Sequence, residues 1–135
     1  MQLLQIVSLL QEHNMIGKRE SFPQALEWYT WALQQGLVET VFEDGRLVGF
    51  LEWIRLGSVP DDIGDVKDRI DFFKFKTDKV LFVCRVIAKS KGVLSQLKKK
   101  LFAKNADHEL LCWHNRKYDR MVIIKNWRLN VKTMV

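Results

Sequence analysis

Proline and cysteine are scarce in this sequence, two of each among 135 residues, and glycine occurs only seven times. So little Pro and Gly excludes a collagen-like repeat and a low-complexity chain, leaving an ordinary globular composition with 47% apolar residues. Cys84 and Cys112 both lie in apolar runs and read as reduced core residues, because free cysteine behaves as a small buried hydrophobe. No apolar run reaches the roughly 20 residues that a membrane-spanning helix needs. The opening "MQLLQIVSLLQEHN" has no positive flank and no small-residue cleavage site, so it does not read as a signal peptide. The expectation is a cytoplasmic protein with no membrane segment, folded as a single domain over residues 1–135. Internal repeats, Walker loops, zincin helices and nucleophile elbows are also missing, which removes the best-marked nucleotidase, metalloprotease and hydrolase chemistries.

Acidic residues are scarce in one part of the chain. Residues 1–84 hold 9 Lys and Arg against 13 Asp and Glu, whereas residues 85–135 hold 13 against 3. The net charge of +6 therefore hides a basic C-terminal part that would attract phosphates, on a nucleotide-like cofactor or on a nucleic acid.

Apolar spacing predicts an amphipathic helix over the first 14 or so residues, ending near "NMIGK". A second helix starts in "SFPQALEWYTWALQQG", with Ser21 and Gln24 at capping-box spacing, Pro23 in the first turn and Gly36 as the stop. Its stripe of Leu26, Trp28, Tyr29, Trp31 and Leu33 reads as core packing. "LVETVFEDGRLVGFLEWIRL" predicts a hairpin turning at Asp44-Gly45, a pair suited to positive φ angles. A short helix is expected near "GDVKDRIDFF". Val80 to Ala88 reads as a central strand buried on both faces. A helix then presents Val93, Leu94, Leu97, Leu101 and Phe102 on one side and Lys98, Lys99, Lys100 and Lys104 on the other. "HELLCWHN" and "RMVIIKNWRL" supply the last strands around the turn "RKYD". The fold class is α/β, a mixed, mostly antiparallel twisted sheet flanked by helices.

Between the central strand and the lysine-rich helix lies "KSKG". A strand feeding a helix through so short a turn leaves the first helical N–H groups unpaired where the helix dipole also favours an anion. Gly92 permits close backbone approach, and Lys89 and Lys91 add charge. The segment "VIAKSKGVLSQL" resembles the acetyl-CoA-binding segment of the GNAT superfamily of N-acetyltransferases, whose turn follows the pattern (Arg/Gln)-x-x-Gly-x-(Gly/Ala). Lys89 stands at the Arg/Gln position, Gly92 at the glycine, and Leu94 replaces the final small residue. The resemblance extends to the order of elements over roughly residues 20–127. Two departures are a missing strand before the first helix and too short a stretch after "HELLCWHN" for the family's usual fourth helix.

The resemblance implies acyl transfer from acetyl-CoA to an amine. Backbone groups of Val83, Arg85, Val86 and Ile87 would take the pantetheine arm, and Lys89, Ser90, Lys91, Gly92 and Val93 the pyrophosphate. Direct attack of the amine on the thioester needs a proton acceptor, an oxyanion donor and an acid for the leaving thiolate. Glu52 on the second hairpin strand is the candidate base and Tyr118 the candidate acid. Both also have structural readings, Glu52 as a solvated strand residue and Tyr118 as a turn aromatic. Asp61, Asp62 and Asp65 lie in the loop that can border the acceptor site in this family, which implies a cationic acceptor.

Other constellations compete. Cys112 and His114 share a strand face, and Cys84 on a neighbouring strand could join them in a zinc or thiol–imidazole arrangement, although no second close ligand pair is present. His13 and His108 have no evident partner. The basic C-terminal part, with Trp113, Tyr118 and Trp127, has the mixture of charge and stacking rings that suits a single-stranded nucleic acid, without the signature of any established binding motif. A GNAT-like scaffold serving only for binding or assembly is the third reading.

Overall fold

The computed structural model describes residues 2–13, 22–60, 78–115 and 117–126. They form α1 (Gln2–Glu12), α2 (Phe22–Gln35), β1 (Val38–Glu43), β2 (Arg46–Leu56), β3 (Val80–Ala88), α3 (Lys91–Lys104), β4 (Leu110–Asn115) and β5 (Arg120–Lys125). This is the order that the periodicities predict. The helix expected near "GDVKDRIDFF", the residues Asp61, Asp62 and Asp65, the capping residue Ser21 and Trp127 lie outside the described residues. The strands make one mixed sheet in the order β1-β2-β3-β4-β5. β3 and β4 are parallel with α3 as their crossover, and β4 and β5 are antiparallel. Neighbouring strands joined by two residues, as β1 and β2 are, can only run antiparallel.

The chain divides into two compact units, one of residues 1–51 and 86–100, the other of residues 52–85 and 101–135. In the first, α2 ends where Gly36 takes a φ of 74°. The Leu37 N–H then reaches Ala32 O (2.9 Å) and the Gly36 N–H reaches Leu33 O (3.2 Å), the paired bonds of a Schellman cap. The hairpin turn has positive φ at both Asp44 (51°) and Gly45 (75°), as a two-residue turn of matching twist requires. Tyr29 is fully buried and meets Phe50 edge to face at 5.8 Å, whereas Trp28 and Trp31 are half-buried and pair with each other at 5.1 Å. The aromatic stripe is therefore only partly core. Helix α3 packs on β2 at Gly49, where a Cβ would lie 2.4 Å from Val93 Cγ1 and 3.3 Å from Leu97 Cδ1.

In the second unit, Leu81, Phe82 and Cys112 are sealed from solvent, and Phe82 stands opposite Cys112 in the parallel register. The expectation that β3 is buried on both faces throughout holds for Val80, Leu81, Phe82 and Ile87 alone. Val83, Cys84 and Arg85 are half-buried and Val86 is 42% exposed. An aliphatic run records that a strand can be covered, not where its cover ends.

Candidate functional site

Ser90 caps α3. Its carbonyl accepts the Leu94 N–H at 3.0 Å and its Oγ accepts the Val93 N–H at 3.3 Å, the bonds of an N-cap serine. One residue earlier, the Lys89 N–H donates to Val48 O (3.0 Å) on β2, and Lys89 Nζ lies 3.4 Å from a Glu43 carboxylate oxygen. The proposed cradle of five residues thus narrows. The amides of Lys89 and Val93 are occupied, while those of Ser90, Lys91 and Gly92 have no partner among the described residues. These three residues are exposed, and Leu94 beside them is only half-buried, so the turn is not plugged from within its own unit.

Gly92 is not demanded by the fold. Its φ lies outside the left-handed region, and a Cβ there would find nothing nearer than Ser90 Oγ at 3.8 Å. Glycine in a helix is about 1 kcal/mol worse than alanine, a cost lessened at a terminus, so the residue is tolerated without a packing reason. Approach of something outside the chain is one reason for leaving the position bare.

The other expected cofactor contacts lie along β3. Val83 is the last of the four residues of β3 in the register with β4, opposite Trp113, and β3 continues to Ala88. Arg85 is half-buried and engaged, Val86 is exposed, and Ile87 is buried. Lys89 to Val93 belong to the first unit, whereas Glu52 and Tyr118 belong to the second. Glu52 is 1% exposed and engaged by neighbouring groups, which corrects its reading as a solvated strand residue: every residue of β2 from Gly49 to Leu56 is buried. Tyr118 is 61% exposed in the β4–β5 turn, with Lys117 Nζ 5.4 Å and Arg120 Cζ 5.6 Å from its ring centroid. It is the turn aromatic expected, with two cations set against its ring.

The thiol–imidazole arrangement fails on its chemistry. Burial pushes the Cys112 thiol up to about 11, so it carries no thiolate near neutrality, and His114 Nε2 instead meets Asp119 Oδ1 at 2.9 Å. Among the described residues no three His, Cys, Asp or Glu side chains converge on a metal position. Of the rings expected to stack on bases, Trp113 is half-buried and Tyr118 exposed. Lys98 and Lys99 are exposed on α3, while Lys100 Nζ is drawn to Thr40 O.

A cluster that the sequence did not disclose surrounds Arg55, which is 1% exposed. Its Nε donates to Asp78 O (2.6 Å), and its Nη1 reaches both Asn105 Oδ1 and Asp107 Oδ1 at 3.1 Å. Next to it His108, expected to be without a partner, places Nδ1 2.6 Å from Asn105 O and stacks on Phe102. Asn126 Nδ2 donates to His108 O (2.7 Å) and Ala106 O (3.2 Å), fastening the end of β5 to the α3–β4 loop. The only foretaste in the sequence is the polar run "KNADH" after a helix, where Asn105 Nδ2 donates to Leu101 O.

The Arg55 hydrogen bond holds the Asp107 carboxyl below the usual carboxylate range, and burial holds His108 below the usual histidine range. Both groups are depressed in the folded state, so the unfolded chain binds their protons first as pH falls. Their stabilisation is complete above the unfolded values and is lost in two stages, below about 6.5 for His108 and below about 3.8 for Asp107. Urea midpoints measured against pH should fall in these two windows. His108→Gln should flatten the upper one and Asp107→Asn the lower; unchanged profiles would contradict the assignment.

Compared with known proteins, the chain matches no family model and no curated protein.

Proposed function

We propose that the protein is an acyl-CoA-dependent N-acyltransferase of GNAT-like fold, transferring an acetyl group from coenzyme A to a primary amine. The observation that carries this reading is the open turn between β3 and α3, with the free N–H groups of Ser90, Lys91 and Gly92 at the positive end of a 14-residue helix. It is supported by the chain topology, in which β3 and β4 are parallel neighbours connected through α3, and by a glycine at a position where the fold leaves room for a side chain.

In the reaction, the amine nitrogen attacks the thioester carbonyl, a C–N bond forms, and the C–S bond breaks as the tetrahedral intermediate collapses. The nitrogen loses a proton and the departing thiolate gains one, leaving an amide and free coenzyme A. Holding the diphosphate at Ser90 to Gly92 fixes the long cofactor at one end and lowers the entropic cost of reaching the attacking geometry. Glu52, assigned by the family resemblance and buried on β2, is the acceptor of the amine proton through water. Tyr118 is the proton donor to the thiolate in this scheme.

A thiol-release assay with acetyl-CoA over a panel of primary amines tests the reading. Turnover should appear with at least one amine, and Glu52→Gln should lower kcat by about 10²–10⁴-fold, the usual worth of a positioned base. Tight cofactor binding without turnover on any amine would leave a binding scaffold in place of the enzyme. Salt-sensitive oligonucleotide binding with no response to coenzyme A would replace both with a nucleic-acid module.

A further inference from the structure

A depression of about 430 Å³, half open to solvent, lies wholly within the first unit, beside the end of β3. Its apolar side is formed by residues such as Leu9, Val48 and Ile87, and its charged side by Glu43, Asp44, Arg46 and Lys89. That volume falls within the range of small-molecule sites, and the lining is divided evenly between polar and apolar surface.

The charges define the guest. Two cationic and two anionic side chains face the same space, so a polyanion such as a nucleotide phosphate would meet Glu43 and Asp44 as well as Arg46 and Lys89. The C-terminal end of α1 adds negative potential, since Leu9 and His13 both stand in the wall and the last carbonyls of a helix carry the negative end of its dipole. Lys89 and Glu43 are already paired with each other. The side chains of Asp44 and Arg46, on either side of Gly45 in the hairpin turn, are exposed and have no hydrogen-bond or ion-pair partner among the described residues. One free anion and one free cation beside an apolar wall match a molecule with an ammonium, a carboxylate and an aliphatic body.

We infer that this depression binds a small apolar zwitterion of amino-acid or dipeptide type, its ammonium on Asp44, its carboxylate on Arg46 and its side chains against Leu9, Val48 and Ile87. The site adjoins the stretch assigned to coenzyme A and shares Ile87 and Lys89 with it, but its ligand groups Asp44 and Arg46 lie outside that stretch, so it does not rest on the coenzyme A reading.

Calorimetric titration of the full chain with L-leucyl-L-leucine tests it, alongside the N-acetylated and C-amidated forms of the same dipeptide. Saturable binding is expected, weakened about tenfold by blocking either terminus. In Arg46→Gln the amidated and free dipeptides should bind alike, and in Asp44→Asn, which keeps a residue tolerant of positive φ, the acetylated and free ones should. Val48→Trp should fill the depression and abolish binding, with its thermal melt checking that it folds. Gly92→Asp should leave dipeptide binding intact, so that loss of the coenzyme A reading and loss of this one are told apart. No saturation, or equal binding of the free and blocked dipeptides, would overturn the proposal.

Discussion

Arg55→Ala should be among the most destabilising single changes in the protein, costing about 3–5 kcal/mol, the range found when one partner is removed from a buried charge network. The substitution strands Asp78 O and the buried Asn105 Oδ1 without their donor and opens a cavity the size of a guanidinium. The exposed Asp107 can turn to water and contributes little to that loss. Arg55 also carries a burden of its own. Its Nη2 is buried and has no partner among the described residues, and an unsatisfied group of that kind costs about 1–3 kcal/mol. Arg55→Met, which keeps most of the volume and removes the charge and the orphan donor, should therefore lose clearly less than Arg55→Ala. Urea titrations of the two variants check this ordering. A loss below about 1 kcal/mol in Arg55→Ala would show that the network is ornamental.

The second large effect is expected at Gly49. A Cβ there would be 2.4 Å from Val93 Cγ1, with Val41 Cβ and Leu97 Cδ1 both at 3.3 Å, a crowding that no rotamer of the new residue relieves because the Cβ itself is at fault. Overpacking of this kind costs about 1–3 kcal/mol for Gly49→Ala and more for Gly49→Val. Relief must come from Val93, so Val93→Ala, destabilising alone, should recover part of the loss in the Gly49→Ala background, a coupling of about 0.5–3 kcal/mol in a double-mutant cycle. The consequence reaches the site. Val93 sits one residue past Gly92 and its N–H is held by Ser90 Oγ, so pushing it off β2 displaces the cap. Gly49→Ala should weaken cofactor binding as well as stability, and Gly49→Ala/Val93→Ala should restore both together. Additive energies in the cycle would contradict the contact.

What the sequence disclosed follows the range of the interactions involved. The Asp44-Gly45 turn and the Gly36 cap are set by residues within a few positions of each other, and both stand where local chemistry puts them. The β3–α3 turn is equally local, and its candidate residues Lys89 to Val93 are together; what pattern alone did not tell is that two of their five amides are spent on Val48 and Ser90. Glu52 was misread because β2 is an interior strand whose residues from Gly49 to Leu56 are all buried, so alternation of charge along it carries no information about which side faces water. The Arg55 cluster joins residues 23 to 52 positions apart, and nothing in a linear pattern couples them.

The most direct measurement is a calorimetric titration of the protein with acetyl-CoA, repeated with Gly92→Asp. The open amides of Ser90, Lys91 and Gly92 predict saturable, stoichiometric binding that the variant loses, because a carboxylate and its Cβ then occupy the place of the diphosphate while the melting temperature stays near that of the parent protein. Absence of heat from the parent protein, or equal binding by a folded Gly92→Asp, would contradict a diphosphate site at the head of α3.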